Sequence, residues 1–382
     1  MSLVSQATVQ AQPPLVERTK RYASIAFCGL LPAFALIVFY ETMTGDGTLA
    51  FDFRPFYRAA GAILDGQTPY PSAEDPLTAE TGPYVYPPLG ALLSIPARAV
   101  SFDVAGLALM VLLTVVAVAI PFVLGVRDWR CFGVVFLWPP VWNAIQTGNM
   151  TLLLGLAAAL AWRHRNSQAV PSALLGLTLA AKLFLWPLVV WLAVTRRVRA
   201  AVLAVAFAAV LIVSSWAVIG FAGLTEYPEL MRRLQDAVGM DSYTLYVVGL
   251  DVGLPSPLAR LLWLGVGVAL LGALAVVGRR GDDRSAFLLA IAASLALTPI
   301  VWLHYFALLL LVVSLVQPRL GLLWFLPLGM VVTPGSGHPT PFETAATLAI
   351  AALVIGAALR MSLDARGSVD ESARARAPLG TA

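Results

Sequence analysis

Long apolar runs separated by short basic loops dominate this chain of 382 residues. The first extends from Tyr22 to Tyr40, directly after Arg18, Lys20 and Arg21. Further runs cover roughly 86–100, 104–126, 131–146, 150–163, 172–194, 200–221, 257–278, 286–300, 304–317, 319–333 and 342–360. A membrane span needs about 20 apolar residues, so several of these are too short to cross a bilayer alone. Pro96, Pro139, Pro140, Pro187 and Pro299 interrupt them. Broken helices are tolerated in a membrane only where the freed backbone lines a cavity or packs on protein. The pattern predicts an all-α integral membrane protein with about 12 transmembrane helices, several of them short or broken. No small-residue cleavage site follows the first run, which therefore reads as a span with a cytosolic N-terminus. The expected organisation is a disordered cytosolic segment over 1–20, one polytopic membrane domain over 21–361, and a disordered cytosolic tail over 362–382.

Two polar segments interrupt the apolar pattern at length, 42–85 and 222–256. In the first, "FDFRPFYRAAGAILDGQTPY" runs from Phe51 to Tyr70. Phe53, Phe56, Tyr57, Ala60 and Ile63 recur at helical spacing, with Arg54, Arg58 and Asp65 off that stripe, so an interfacial amphipathic helix is expected. "EYPELMRRLQDAVG" is a second such candidate.

Composition sharpens the class. Hydrophobic residues make up 59% of the chain and charged ones 12%, with mean hydropathy +0.82. A soluble domain carries roughly 25% charged residues, so a soluble protein is excluded. Lysine occurs only at Lys20 and Lys182; arginine supplies the remaining positive charge. The arginines concentrate in "RRVR", "RRGDDR", "QPR" and the tail from Arg360, which reads as positive-inside topology rather than nucleic-acid binding. "RDWR" and "WRHR" fit that parity badly. Cys28 and Cys131 both lie in apolar runs, with no disulfide or metal-ligand spacing. No phosphate-binding glycine loop, zinc signature or Ser-His-Asp pattern is present, and neither a cofactor nor a metal is expected.

Asp52 follows the first span by about ten residues on the non-cytosolic side, and it has two compatible readings. It caps the helix that begins near Arg54, or it takes a proton from an alcohol held within hydrogen-bond reach. "YVYPP" from Tyr84 starts the next run, and Tyr86 is either an ordinary interfacial aromatic or a contact for a ligand. "WNAIQTGNM" places Gln146, Thr147 and Asn149 where lipid contact is costly. These side chains satisfy a helix break or line a cavity for hydroxyl-rich ligands. Lys182 lies inside "TLAAKLFLWP", where it snorkels to the interface or meets an anion such as phosphate. His304 and Tyr305 sit in "TPIVWLHY", as a turn bonded to backbone or as donors to phosphate or sugar. His164 and His338 lie in loops.

The order of these pieces resembles glycosyltransferase family 87 of the C-type superfamily, over about residues 20–360. It comprises the first-loop aspartate, "YVYPPLGALLSIP", a polar "GN" turn at Gly148, a membrane "KLFLWP" and "TPIVWLHY". Many members carry "GQxN" where this chain has "QTGN", so Gln146 and Asn149 are spaced differently. The resemblance implies a C-type fold and an inverting sugar transfer on the non-cytosolic face of the plasma membrane. It implies a polyprenyl-phosphate sugar as donor, mannose or arabinofuranose as sugar, and a glycolipid or glycan of the cell envelope as acceptor. It gives Asp52 the role of base. Arg54, Arg58, Lys182 and His304 are then candidates for the donor phosphate, and Tyr57, Tyr86, Gln146, Asn149 and Tyr305 for substrate contact. Membrane lipids are the other expected partners. A transporter or flippase for a lipid-linked amphiphile, or a non-catalytic assembly subunit, would also use broken helices and intramembrane cations.

Overall fold

The computed structural model describes residues 15–45, 49–71, 82–333 and 339–376. The chain is all-helical, with no strand among the described residues. Helix α1 (Leu15–Ile25) continues through a π turn at Ala26–Leu30 into α2 (Leu31–Gly45). The amphipathic α3 (Arg54–Leu64) follows, then α4 (Pro88–Leu93) with a 3₁₀ turn at Ile95–Ala99. A full-length apolar helix, α5 (Phe102–Val123), then leads to a broken series. This comprises α6 (Trp129–Val135), α7 (Pro139–Thr147), α8 (Thr151–Arg163), α9 (Ala169–Ala181) and α10 (Pro187–Val194). Helix α11 (Val198–Val218) is again long. It is followed by the amphipathic α12 (Tyr227–Val238), the short α13 (Leu245–Asp251), and α14 (Ser256–Arg279). The chain closes with α15 (Asp283–Leu297), α16 (Leu309–Val316) and α17 (Pro341–Arg376).

Among the described residues, five helices are long and apolar enough to cross a membrane, or six if the α7–α8 pair counts as one span. The other apolar pieces are shorter, for a physical reason. A proline inside a helix removes one backbone bond and its ring collides with the carbonyl four residues earlier. Pro139 and Pro187 therefore begin helices rather than sit inside them. The run at 172–194 breaks at Lys182, whose backbone is extended at φ −159° and ψ 118°. The run at 86–100 is not a span but a six-residue helix and a 3₁₀ turn, and the run at 319–333 consists of 3₁₀ turns at Leu322–Trp324 and Leu326–Val332. The boundaries expected at 20 and 361 fall inside helices, because α1 begins at Leu15 and α17 runs to Arg376. Both expected amphipathic helices form, as α3 and α12.

Without water to drive association, helices in a bilayer hold together by close contact across small residues. Helices α9 and α11 meet at Gly176, where an added Cβ would stand 2.8 Å from the Ala204 carbonyl and from the Phe207 ring. Helix α15 is enclosed on all sides: every residue from Ser285 to Leu295 is buried.

The basic loops collect at one end. Arg163 donates to the Val123 carbonyl, the Leu320 N–H to Asp128, and Arg366 to the Arg280 carbonyl. Arg165 and Arg197 share Asp283, each at 2.9 Å. "RDWR" and "WRHR" therefore lie with "RRVR" and "RRGDDR" after all. The parity is restored because α6–α7 climbs from this end and α8 returns to it across a 115° bend. Exposed Gln67, after α3, and exposed Arg284, at the start of α15, mark opposite ends. Gln67→Cys and Arg284→Cys should react with a membrane-impermeant thiol reagent from opposite sides of the membrane, since Cys28 and Cys131 are buried. Labelling of both from the same side in sealed vesicles would contradict this arrangement.

Candidate functional site

Opposite the basic end, four chain breaks converge. The segment before α3 makes a tight turn at Phe51–Phe53 that starts from Ala50, which is buried and left-handed at φ 51°. The Ala50 N–H donates to the Gln146 carbonyl at 3.0 Å, which fastens this turn to the end of α7. Gly148 ends α7 at φ 67°, a conformation glycine adopts without strain. A Cβ there would come within 2.9 Å of the Ala50 Cβ and 3.1 Å of its Cα. Two turns from distant parts of the chain are thereby held in direct contact.

That contact aims Asp52 at Asn149. The Asn149 amide donates to Asp52 Oδ2 at 2.7 Å. Its own Oδ1 accepts from the Thr151 N–H at 2.9 Å and from the Thr151 hydroxyl at 2.7 Å. The start of α8 thus fixes the amide so that its N–H faces the carboxylate. Asp52 caps nothing: Phe53 is the cap residue of α3, and no side chain bonds there. The capping reading is set aside, and α3 starts instead on Pro55 in its first turn.

His304 Nδ1 stands 3.2 Å from Asn143 Oδ1 and 3.8 Å from Asp52 Oδ2. Two oxygens on one side of the ring favour the proton on Nδ1. Nε2 is then an acceptor while the ring is neutral, and it is buried without a hydrogen-bond partner among the described residues. Lys182 does not snorkel. Its side chain is buried, with Nζ 4.3 Å from the centre of the Tyr305 ring, 5.2 Å from that of Tyr86, and 3.5 Å from the Tyr86 hydroxyl. Tyr86 in turn stacks on Phe56 of α3 with ring centres 4.9 Å apart, and His304 stacks on Tyr305 at 4.9 Å.

Burial pushes the Asp52 carboxyl above its ordinary aspartate value; hydrogen bonds from Asn149 and Thr147 and the nearby Lys182 charge oppose the rise without cancelling it. The side chain keeps 20% of its exposure while His304 keeps 3%, so the carboxylate is secluded yet reachable. Beside it opens an apolar cavity of about 340 Å³. Phe53 and Phe56 of the α3 region, Met150 and Leu153 of the α8 region, and Leu177 and Ala181 of α9 are among its walls.

The structure thus brings together Asp52, Tyr86, Asn149, Lys182, His304 and Tyr305. Other expected site residues are engaged elsewhere. The Tyr57 hydroxyl donates to the Val100 carbonyl at 2.7 Å and its ring lies under Arg98. The Arg54 guanidinium lies 4.8 Å over the Phe102 ring, Arg58 is exposed one turn further along α3, and Gln146 holds the turn through its backbone carbonyl. Asn143 and Thr151 join the site unannounced, although both fall in the polar stretch around Asn149. Among the described residues, no three His, Cys, Asp or Glu side chains gather as a metal site requires.

A family model, glycosyltransferase family 87, matches residues 84–303, more than half of the chain. The match takes in Tyr86, Asn149 and Lys182, begins after Asp52 and ends one residue before His304. No curated protein and no solved structure matches significantly.

Gly148 offers a test of the geometry. Gly148→Ala should cost roughly 1–2 kcal/mol for the left-handed backbone alone. It should also push the Ala50 turn away and separate Asp52 from Asn149, lowering sugar transfer well beyond what the loss in melting temperature accounts for. Wild-type transfer by this variant would contradict the contact.

Proposed function

We propose that the chain, which belongs to glycosyltransferase family 87, transfers a sugar from a polyprenyl-phosphate donor to a hydroxyl of a glycolipid or glycan, with inversion and with Asp52 as the base. The chain is a membrane glycosyltransferase by family; donor, acceptor and residue roles are our reading. The observation that carries it is the pairing at one place of a secluded carboxylate with a buried ammonium, next to an apolar cavity.

Each part has work in such a reaction. The acceptor hydroxyl attacks the anomeric carbon as its proton passes to Asp52. Asn149 and Thr147 steady the carboxylate, which keeps a fifth of its side-chain exposure through which an acceptor hydroxyl can reach it. The bond between the anomeric carbon and the phosphate oxygen breaks on the opposite face, and the lipid phosphate departs with the electron pair. Lys182, backed by the Tyr86 hydroxyl, stabilises that charge in surroundings of low dielectric. The departing phosphate is already an anion, so no acid need protonate it. His304 Nε2 accepts a hydroxyl of the sugar. The cavity wall of Phe53, Phe56, Leu153 and Leu177 receives the first isoprene units of the donor. Mannose and arabinofuranose remain the favoured sugars through the resemblance of the motifs. The short helices α9 and α10, each under 20 residues, support a position of Lys182 at the depth of the bilayer, with the outer loops in the interface. The arginine-rich end is assigned to the cytosol and the Asp52 end to the outer face of the plasma membrane, following the positive-inside rule.

Asp52→Asn should lower transfer about 10²–10⁴-fold, the usual cost of losing a general base. Melting temperature and donor binding should hold, because the residue caps no helix and acts on the acceptor. The base works only when deprotonated and its pKa is raised, so the rate of the wild type should fall as pH drops through a value above the ordinary carboxylate range. Near-normal transfer by Asp52→Asn, or an acid limb at the value of a free aspartate, would contradict the assignment.

A further inference from the structure

The basic end holds a second polar recess, far along the helices from Asp52. Thr195, Arg196 and Arg197 of the α10–α11 turn face Arg279, Arg280 and Asp283 of the α14–α15 turn across a cleft of about 450 Å³. Four guanidinium groups and one carboxylate line it, an excess of three positive charges. The carboxylate is already committed. Asp283 accepts from Arg165 at 2.9 Å, from Arg197 at 3.0 and 2.9 Å, and from the Trp191 indole at 2.8 Å. The neighbouring Asp282 is buried, bonds the Ser285 N–H and pairs loosely with Arg366. The exposed Arg196, Arg279 and Arg280 side chains have no acidic partner among the described residues.

Two further features point to an anion. Arg196 adopts a left-handed backbone at φ 65°. Such strain in a residue other than glycine persists only where the surroundings impose it, and it clusters at binding sites. The 21-residue helix α11 begins beside the cleft, with no side chain capping its first N–H groups. An uncapped helix start attracts negative charge. The rims of the cleft are apolar and open. Val198 and Val202 on α11 are 56% and 61% exposed, and Val276 on α14 is 49% exposed. A ligand there meets cations at its head and lipid-facing helix surface along its tail.

We infer that this cleft binds the phosphate of an anionic membrane lipid in the leaflet at the basic end, separately from the site around Asp52. Basic pockets between membrane helices recognise lipid head groups through these elements. A free phosphate shares the charge but lacks the tail, so the two sources can be told apart.

The test uses the full chain, purified and delipidated in a neutral detergent, with melting temperature as the readout. Short-chain phosphatidylglycerol should raise it by a few degrees, whereas short-chain phosphatidylcholine and inorganic phosphate should leave it nearly unchanged. The double variant Arg196→Gly with Arg279→Gln should lose the shift, with apparent affinity falling about fivefold for each arginine removed. Glycine suits the left-handed backbone, so the variant should melt no lower than the wild type without lipid. Arg280→Gln alone, followed by native mass spectrometry of retained lipid, gives a second readout that does not depend on the strained turn; it should retain less phosphatidylglycerol. An equal shift in the double variant, equal lipid retention in Arg280→Gln, or no shift in the wild type would overturn the site. A full shift with inorganic phosphate would overturn its assignment to a lipid.

Discussion

The arrangement around Asp52 depends on one requirement: a carboxylate taken out of water must be given partners, and those partners must be held still. Removing a charge from water without compensation costs more than a fold can bear, and the usual outcome is protonation. Here one amide hydrogen bond, one hydroxyl and one nearby ammonium support the charged form of Asp52, while burial opposes it. The balance leaves a carboxyl that holds its proton more tightly than a free aspartate. Thr151 fixes Asn149, the Gly148 turn fixes the backbone below it, and the Ala50–Gln146 bond fastens the two chain segments together. Each of these contacts serves the next, and together they hold the Asp52 carboxylate in one place.

Short helices make that arrangement possible inside a membrane protein. A helix of 13 residues, such as α8 or α9, is about 20 Å long, against about 30 Å of hydrocarbon. Helices of this length are too short to cross the hydrocarbon, and their ends carry polar groups: Asn149 before α8 and Lys182 after α9. Such ends are stable only because full-length helices and a wholly buried α15 surround them. The same shortening leaves room for the apolar cavity beside Asp52.

Much of this was legible in the sequence because polar residues in an apolar run have few reasons to be there. Asn149, Lys182 and His304 stand out on that ground and Asp52 by its place soon after the first span, and the structure gathers them with Tyr86 and Tyr305. The residues that do not gather fail for reasons of direction. Arg54, two positions beyond Asp52, packs over the Phe102 ring, and Arg58, a turn further along α3, is exposed. Tyr57 belongs to the packing of α3 on the 3₁₀ turn near Val100. Asn143 and Thr151 went unremarked because a role set by a bond to another side chain leaves no pattern along the chain. The contact of Gly148 with Ala50 joins segments about a hundred positions apart, which no local spacing records. Helix lengths were overstated where a proline cut a run, since apolarity continues through a break that the backbone does not.

The family match and the geometry support one another from different parts of the chain. The match covers 84–303 and carries the glycosyltransferase activity, whereas Asp52 lies before it and rests on geometry alone. The central claim is therefore the placement of reacting groups about Asp52. The most direct measurement is a structure of the protein with a polyprenyl-phosphate sugar and an acceptor bound. The account predicts the acceptor hydroxyl about 3 Å from the Asp52 carboxylate, the donor phosphate on Lys182, and the first isoprene units between Phe53, Phe56 and Leu177. An acceptor hydroxyl bound away from Asp52, or a donor phosphate seated out of reach of Lys182, would contradict it.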